Sequence, residues 1–234
     1  IEEARKMVEA FHKQGIRVNM DVVYNHMYDM EASSFEKVVP YYFFRRSQSG
    51  QLSNGSFCGN DVDSNRLMAR KFIKDSVKHW MTHYDVDGFR FDLMGVLDVD
   101  TMNEVEALCR SIKDETMVYG EGWNMPTSLP EHLKANRYNQ HLMPNIGHFN
   151  DFFREHVKGR TSHEEINVKG YCLGDTNYIE AMKASMLGTA VANRTRLFDR
   201  PGKSINYIEC HDNHTVWDKL KESNKEDNRD VRIK

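Results

Sequence analysis

The chain has 234 residues, 39% hydrophobic and 29% charged, with a net charge of -3, 14 glycines and 5 prolines. That balance is ordinary for a globular chain and lacks the basic footprint that nucleic-acid binding leaves. No apolar run reaches the ~20 residues of a membrane span. Ile1 is not a methionine, the first residues already read as a helix and nothing in them resembles a secretory signal. Both ends therefore read as cut, and the first residues carry no information on compartment.

Apolar residues at Ile1, Ala4, Met7, Val8 and Phe11 follow the helical period and predict a helix over 1–14, stopped by Gly15. Residues 16–23 read as a buried strand ending in Tyr24-Asn25-His26, followed by a long polar and aromatic loop over 27–64. A helix is expected over 65–84, with Met68, Phe72, Ile73, Val77, Trp80 and Met81 on one face, then a strand over 89–92. The alternation repeats with a helix over 100–114 and a strand over 116–121. Later come a short strand at 145–150 with a short helix after it, a helix over 176–190 and a strand over 204–209. The charged tail, about 215–234, reads as helical at its start and as a solvated face. Alternating strands and helices predict βαβ units and a parallel sheet.

The four cysteines, Cys58, Cys109, Cys172 and Cys210, are scattered without a Cys-x-x-Cys pair, so no disulfide framework is expected. Cys109 lies on an apolar helical stripe and reads as a small buried hydrophobe. Cys210, beside His211, is the thiol to watch, and packing is the favoured reading there too.

Polar residues cluster where strands end. In Gly88-Phe89-Arg90-Phe91-Asp92, alternation puts Arg90 and Asp92 on one face and the two phenylalanines on the other. A cation beside a carboxylate favours the ionised form, so the pair suits a nucleophile as well as it suits a structural ion pair. In Tyr119-Gly120-Glu121-Gly122-Trp123, the glycines leave room for a ligand near Glu121, and Trp123 offers a flat face for a sugar ring. An exposed Glu in a turn is the alternative. Glu209-Cys210-His211-Asp212-Asn213-His214 packs titratable groups after an apolar strand, and Asp21, Asn25 and His26 gather at the end of the first strand. No His-Glu-x-x-His spacing supports a metal site. Clusters at successive strand ends are what an α/β barrel uses to build an active site. Paired carboxyls, one ionised and one protonated, suit glycoside hydrolysis.

DVVYNH (21–26), GFRFDLMG (88–95), YGEGW (119–123) and NYIECHDNHT (206–215) resemble, in order, the four conserved regions of the α-amylase superfamily of glycoside hydrolases. LSNGSFCGNDVDSNR (52–66) and HDNHTVWDKL (211–220) bring the chain nearest to the type I pullulanases, the bacterial debranching enzymes. The resemblance implies a partial (β/α)8 barrel of about five strands, the third to the seventh, with the whole chain one barrel domain truncated at both ends. It implies Asp92 as nucleophile, Glu121 as acid/base and Asp212 as stabiliser of the distorted sugar. Arg90 would hold the nucleophile, His26 and His211 the sugar, and Asp21 would support Arg90, with Asn25 also supporting. Trp123 and Asn213 would contact substrate. For Tyr41-Tyr42-Phe43-Phe44 sugar stacking and loop packing stay equally open.

The activity implied is retaining hydrolysis of α-1,6 branch linkages in pullulan, glycogen or limit dextrin, with an α-glucan as the partner and neither nucleic acid nor membrane. No cofactor is implied, and structural calcium would leave no mark in these motifs. An α-1,4-acting hydrolase, a glucanotransferase, an inert glucan-binding fragment and a metal-dependent barrel hydrolase are the alternatives. With strands and an aromatic motif of the family absent, the 234 residues alone are expected to be inactive and to fold poorly.

Overall fold

The computed structural model describes residues 2–190 and 196–233. They divide into two compact units, residues 1–148 and 149–234. Five strands alternate with helices and follow one another in chain order.

In the first unit, α1 (Glu2–His12), β1 (Asn19–Val22), α2 (Ser34–Val38), α3 (Leu67–Tyr84), β2 (Gly88–Phe91), α4 (Val99–Ile112), β3 (Met117–Gly120) and the start of β4 (Gly147–Phe149) build a parallel sheet with its helices. Phe89 and Phe91 of β2 are fully buried and join Ile73, Val77 and Met81 of α3 and Met102, Val105 and Cys109 of α4 in one core. Each such side chain contributes about 1.5–3 kcal/mol on burial. Helix α4 starts where Asp98, as N-cap, accepts from Thr101 N at 2.9 Å. Helix α3 stops at Asp85, which takes a left-handed conformation.

Several expectations are corrected. The predicted buried strand over 16–23 is only four residues long, and of these just Val22 is buried, because β1 pairs with β2 alone among the described strands. On α1 the apolar stripe buries Val8 but leaves Met7 and Phe11 exposed, and Ile1 lies outside the described residues. On α3 the buried face is Ala69, Ile73, Val77, Met81 and Tyr84, while Met68 and Phe72 are exposed. The 27–64 segment contains α2, capped by Ser33, whose side chain accepts from Glu36 N. It also holds two antiparallel bridges, Phe44 with Val62 and Arg46 with Leu52.

The second unit contains α5 (Asp151–Val157), α6 (Ile179–Met186), β5 (Ser204–Ile205), α7 (Val216–Ser223) and α8 (Arg229–Ile233). Asn150 N donates to Ile205 O at 2.9 Å, which brings β5 beside the end of β4. The buried Asn150 amide lies within 3.0 Å of Thr189 Oγ1, Ser204 Oγ and Asn206 Oδ1. The strand expected over 204–209 ends at Ile205, where Asn206 turns its side chain to Ser204 and to Ser185 O. In the tail, Lys219 is fully buried, not solvated. Its ammonium donates to the carbonyls of Arg160, Glu165 and Ile166, since a buried charge has to find partners. Lys234 lies outside the described residues.

Candidate active site

The parallel register sets Arg90 opposite Asp21 on one side and Tyr119 on the other, and Phe91 opposite Gly120. One residue further on, Asp92 and Glu121 therefore leave the ends of adjacent strands together. Arg90 is 6% exposed and sits beneath both. Its Nη1 donates to Asp92 Oδ1 at 2.8 Å and to Asp21 Oδ1 at 2.9 Å. Its Nη2 lies 2.8 Å from Glu121 Oε1. Burial works against the Arg90 charge, but Glu121, Asp92 and Asp21 outweigh it and raise its pKa.

Asn25, fully buried, directs its amide to Asp92 O at 2.8 Å and to Asp92 Oδ2 at 2.9 Å. Asn25 Oδ1 in turn faces His26 Nδ1 at 2.5 Å. Asp92 thus accepts from a guanidinium and an amide at once. Glu121, 7% exposed, accepts at Oε2 from Leu93 N at 2.9 Å. The two carboxylates hang from neighbouring nitrogens of one guanidinium.

The glycines around Glu121 serve protein packing instead of leaving room for a ligand. A Cβ on Gly120 would sit 2.5 Å from Phe91 O, and one on Gly122 would sit 2.2 Å from His148 Nδ1. Trp123 is half-buried, and its carbonyl would be 1.8 Å from a Cβ on Gly95.

The 52–66 stretch is a scaffold for the loops around this site. Asp61 is fully buried and accepts from Ser53 Oγ at 2.6 Å, Gly55 N at 2.8 Å and Ser56 N at 2.8 Å. Burial alone would raise its pKa, yet these donors together with Thr127 hold it below the usual carboxylate range. Asn60 exchanges hydrogen bonds with the Met27 backbone at 3.0 and 2.7 Å, next to His26. Ser53 Oγ accepts from Ser128 N at 2.9 Å, beyond Trp123. The loops after β1 and β3 are thereby fastened to one segment.

Within the aromatic run, Phe44 is buried and Phe43 stacks on Phe35 with ring centroids 4.5 Å apart, so these two pack the loop. Tyr41 is exposed, with the Arg46 guanidinium 4.8 Å over its ring. Cys109 is buried, and burial followed by the nearby Glu106 pushes its thiol up to about 12. Cys58, Cys172 and Cys210 are exposed and unpaired as disulfides.

His211, Asp212 and Asn213 belong to the second unit, where all three are exposed. Asn213 takes a left-handed conformation at φ 65°. The loop that carries them is closed by Glu209, which accepts from Val216 N, and by Lys158, whose ammonium donates to His214 O at 2.6 Å. Thr215 then caps α7, accepting from Asp218 N at 3.0 Å. The first unit brings together Asp21, Asn25, His26, Arg90, Asp92 and Glu121, whereas Asp212 and its neighbours stand in the second.

Two parts of the site were missed in the sequence: the bond from Arg90 to Glu121 and the Leu93 amide on Glu121. Alternation along one strand shows the Arg90–Asp92 pair, but only the register between strands reveals the third partner. Among the described residues, no group of three or more His, Cys, Asp or Glu is arranged to hold a metal ion. No helix among them is long and apolar enough to cross a membrane.

No family profile matches the chain. It is 45% identical over 219 residues to the pullulanase of Bacillus subtilis, covering 93% of this chain and 30% of that protein. The crystal structure of Bacillus subtilis type I pullulanase complexed with maltose superposes with a TM-score of 0.93 at 43% identity, over 97% of this chain and 32% of that one. A pullulanase from Anoxybacillus sp. complexed with maltotriose gives a TM-score of 0.92 at 46% identity, over 97% and 32% respectively. The chain thus spans about a third of the length of these relatives. Its five parallel strands alternating with helices are part of a (β/α)8 barrel, and by sequence and by fold the chain belongs with the type I pullulanases.

Proposed function

We propose that this sequence supplies the nucleophile and the acid/base of a retaining glycoside hydrolase that cleaves α-1,6 branch linkages in pullulan, glycogen or limit dextrins. The observation that carries the reading is the single Arg90 guanidinium joined to both Asp92 and Glu121. The pullulanase relatives, one of them solved with maltose and another with maltotriose, support an α-glucan as the substrate.

The chemistry divides between the two carboxylates. Asp92, held in place by Arg90 and Asn25, attacks the anomeric carbon. The glycosidic C–O bond breaks, and the leaving oxygen takes the proton of Glu121. Water then attacks the glycosyl–aspartate, Glu121 takes a proton from that water, and Asp92 is released with retention of configuration. Glu121 has to give and then accept a proton. Arg90 Nη2 at one oxygen and the Leu93 amide at the other hold the carboxyl in place for both transfers.

The remaining roles are part of the same reading. His26 and His211 bind the sugar next to the cleaved bond, Asp212 grips its hydroxyls in the transition state, and Trp123 and Asn213 touch substrate. Asp21 and Asn25 hold Arg90 and Asp92. Residues 1–234 act as one stretch of the catalytic barrel.

The test is made in the enzyme that carries this sequence. Glu121→Gln and Asp92→Asn are each expected to abolish release of maltotriose from pullulan while oligosaccharide binding persists. Turnover of pullulan by either variant at the unmodified rate overturns the assignment. Faster digestion of amylose than of pullulan by the unmodified enzyme overturns the linkage preference alone.

A further inference from the structure

The residue after Asp92 has an uncommon backbone. Leu93 lies at φ 37° and ψ 48°, in the left-handed region that branched and bulky residues rarely adopt. The chain there does three things within a few residues. Asp92 N completes the ladder to Val22 O at 3.0 Å. Leu93 N leaves the ladder and donates to Glu121 Oε2 at 2.9 Å. The reversal at Leu93 then lets Gly95 N reach Glu121 O at 3.1 Å, while Glu121 N returns to Phe91 O at 3.0 Å. Met94 and Val96, fully buried on either side of Gly95, lock the turn in place.

We propose that Leu93 is a positioning residue, whose left-handed backbone aims its amide at Glu121 and so fixes this carboxyl relative to Asp92. The peptide linking Asp92 to Leu93 thus ties the proposed nucleophile to the proposed acid/base through one rigid unit. Strain of this kind persists only where the surroundings over-determine it, as the buried turn does here. The proposal rests on the reading of Asp92 and Glu121 as the hydrolytic pair.

The direct test exchanges the Leu93 amide for an ester, by incorporating the α-hydroxy analogue of leucine at position 93 of the intact enzyme. The side chain is retained, the N–H is lost, and Asp92 O, which accepts from Asn25 Nδ2 at 2.8 Å, becomes the weaker acceptor of an ester. A donor to a carboxylate favours its ionised form, so its removal moves the basic limb of the pH profile of kcat/KM to higher pH. A fall in kcat of about tenfold with KM little changed accompanies it. Leu93→Gly, which adopts the left-handed region freely, keeps the limb in place. Leu93→Ile, which does not, behaves like the ester.

An ester variant that loses thermal stability while its basic limb and kcat stay put makes Leu93 merely structural and overturns the proposal. Glu121→Gln separates the two levels. If that variant still hydrolyses pullulan, the acid/base reading has failed. If it is inactive and the ester variant is unaltered, only the role of Leu93 has failed.

Discussion

Arg90 Nη2 meets Glu121 Oε1 at 2.8 Å, across two adjacent strands, while the other terminal nitrogen of the same guanidinium serves Asp92 and Asp21. A lysine offers one compact charge and cannot present two separated nitrogens in a fixed plane. Arg90→Lys is therefore expected to lower kcat on pullulan by about 10²-fold with a smaller change in KM, because misplacement of a reacting group by an ångström carries that order of loss. Steady-state kinetics of the variant enzyme check this, and a kcat within twofold of the parent would remove Arg90 from its organising position.

Gly95 is required by a backbone and not by a turn. A Cβ there would stand 1.8 Å from Trp123 O, and a carbonyl in the main chain cannot swing aside as a flexible side chain can. Gly95→Ala should destabilise the protein by about 1–3 kcal/mol, the usual cost of forcing atoms into a filled interior. Denaturant unfolding measures it, and an unchanged midpoint with unchanged slope would contradict the packing described.

At the opposite ends of the strands, Asp87 accepts from Val18 N at 2.7 Å, His12 Nε2 at 2.8 Å and Lys113 Nζ at 2.8 Å. Burial pushes its pKa up, but Lys113, Val18 and His12 outweigh that and leave it lowered. A carboxylate with a depressed folded value stabilises the protein above its unfolded value, and that contribution is lost as pH falls through the folded one. The stability gap between the parent and Asp87→Asn is thus full above about pH 4 and closes below it. Urea unfolding across this range tests the sign, and a gap that widens on acidification is incompatible with it.

Lys219 anchors α7 to the chain at 160–166 through three backbone carbonyls. Lys219→Met keeps the unbranched side chain up to the ε position and removes every donor, which should cost about 1–3 kcal/mol as those acceptors lose their partner. Amide exchange in α7 and in residues 160–170 should accelerate together. Acceleration in α7 alone would mean that the lysine holds nothing beyond its own helix.

Period-two alternation places Arg90 with Asp92 and sends Phe89 and Phe91 the other way, and the core contains both phenylalanines. Helices α3 and α4 start and stop within two residues of their predicted limits, since long periodic segments carry their own signal. The strand over 204–209 and the solvated reading of Lys219 failed for one reason. Local pattern is silent about which distant carbonyl or amide will satisfy a polar group.

What the amino-acid order determined alone was the succession of strands and helices and the family to which its motifs point, because both reside in short-range pattern. Tertiary structure alone decided that Arg90 reaches Glu121, that Leu93 turns left-handed under it, and that Gly95, Gly120 and Gly122 yield to neighbouring protein atoms. The physical reason is register. A one-residue slip of β3 against β2 would leave every local preference intact and send Glu121 to the opposite face of the sheet.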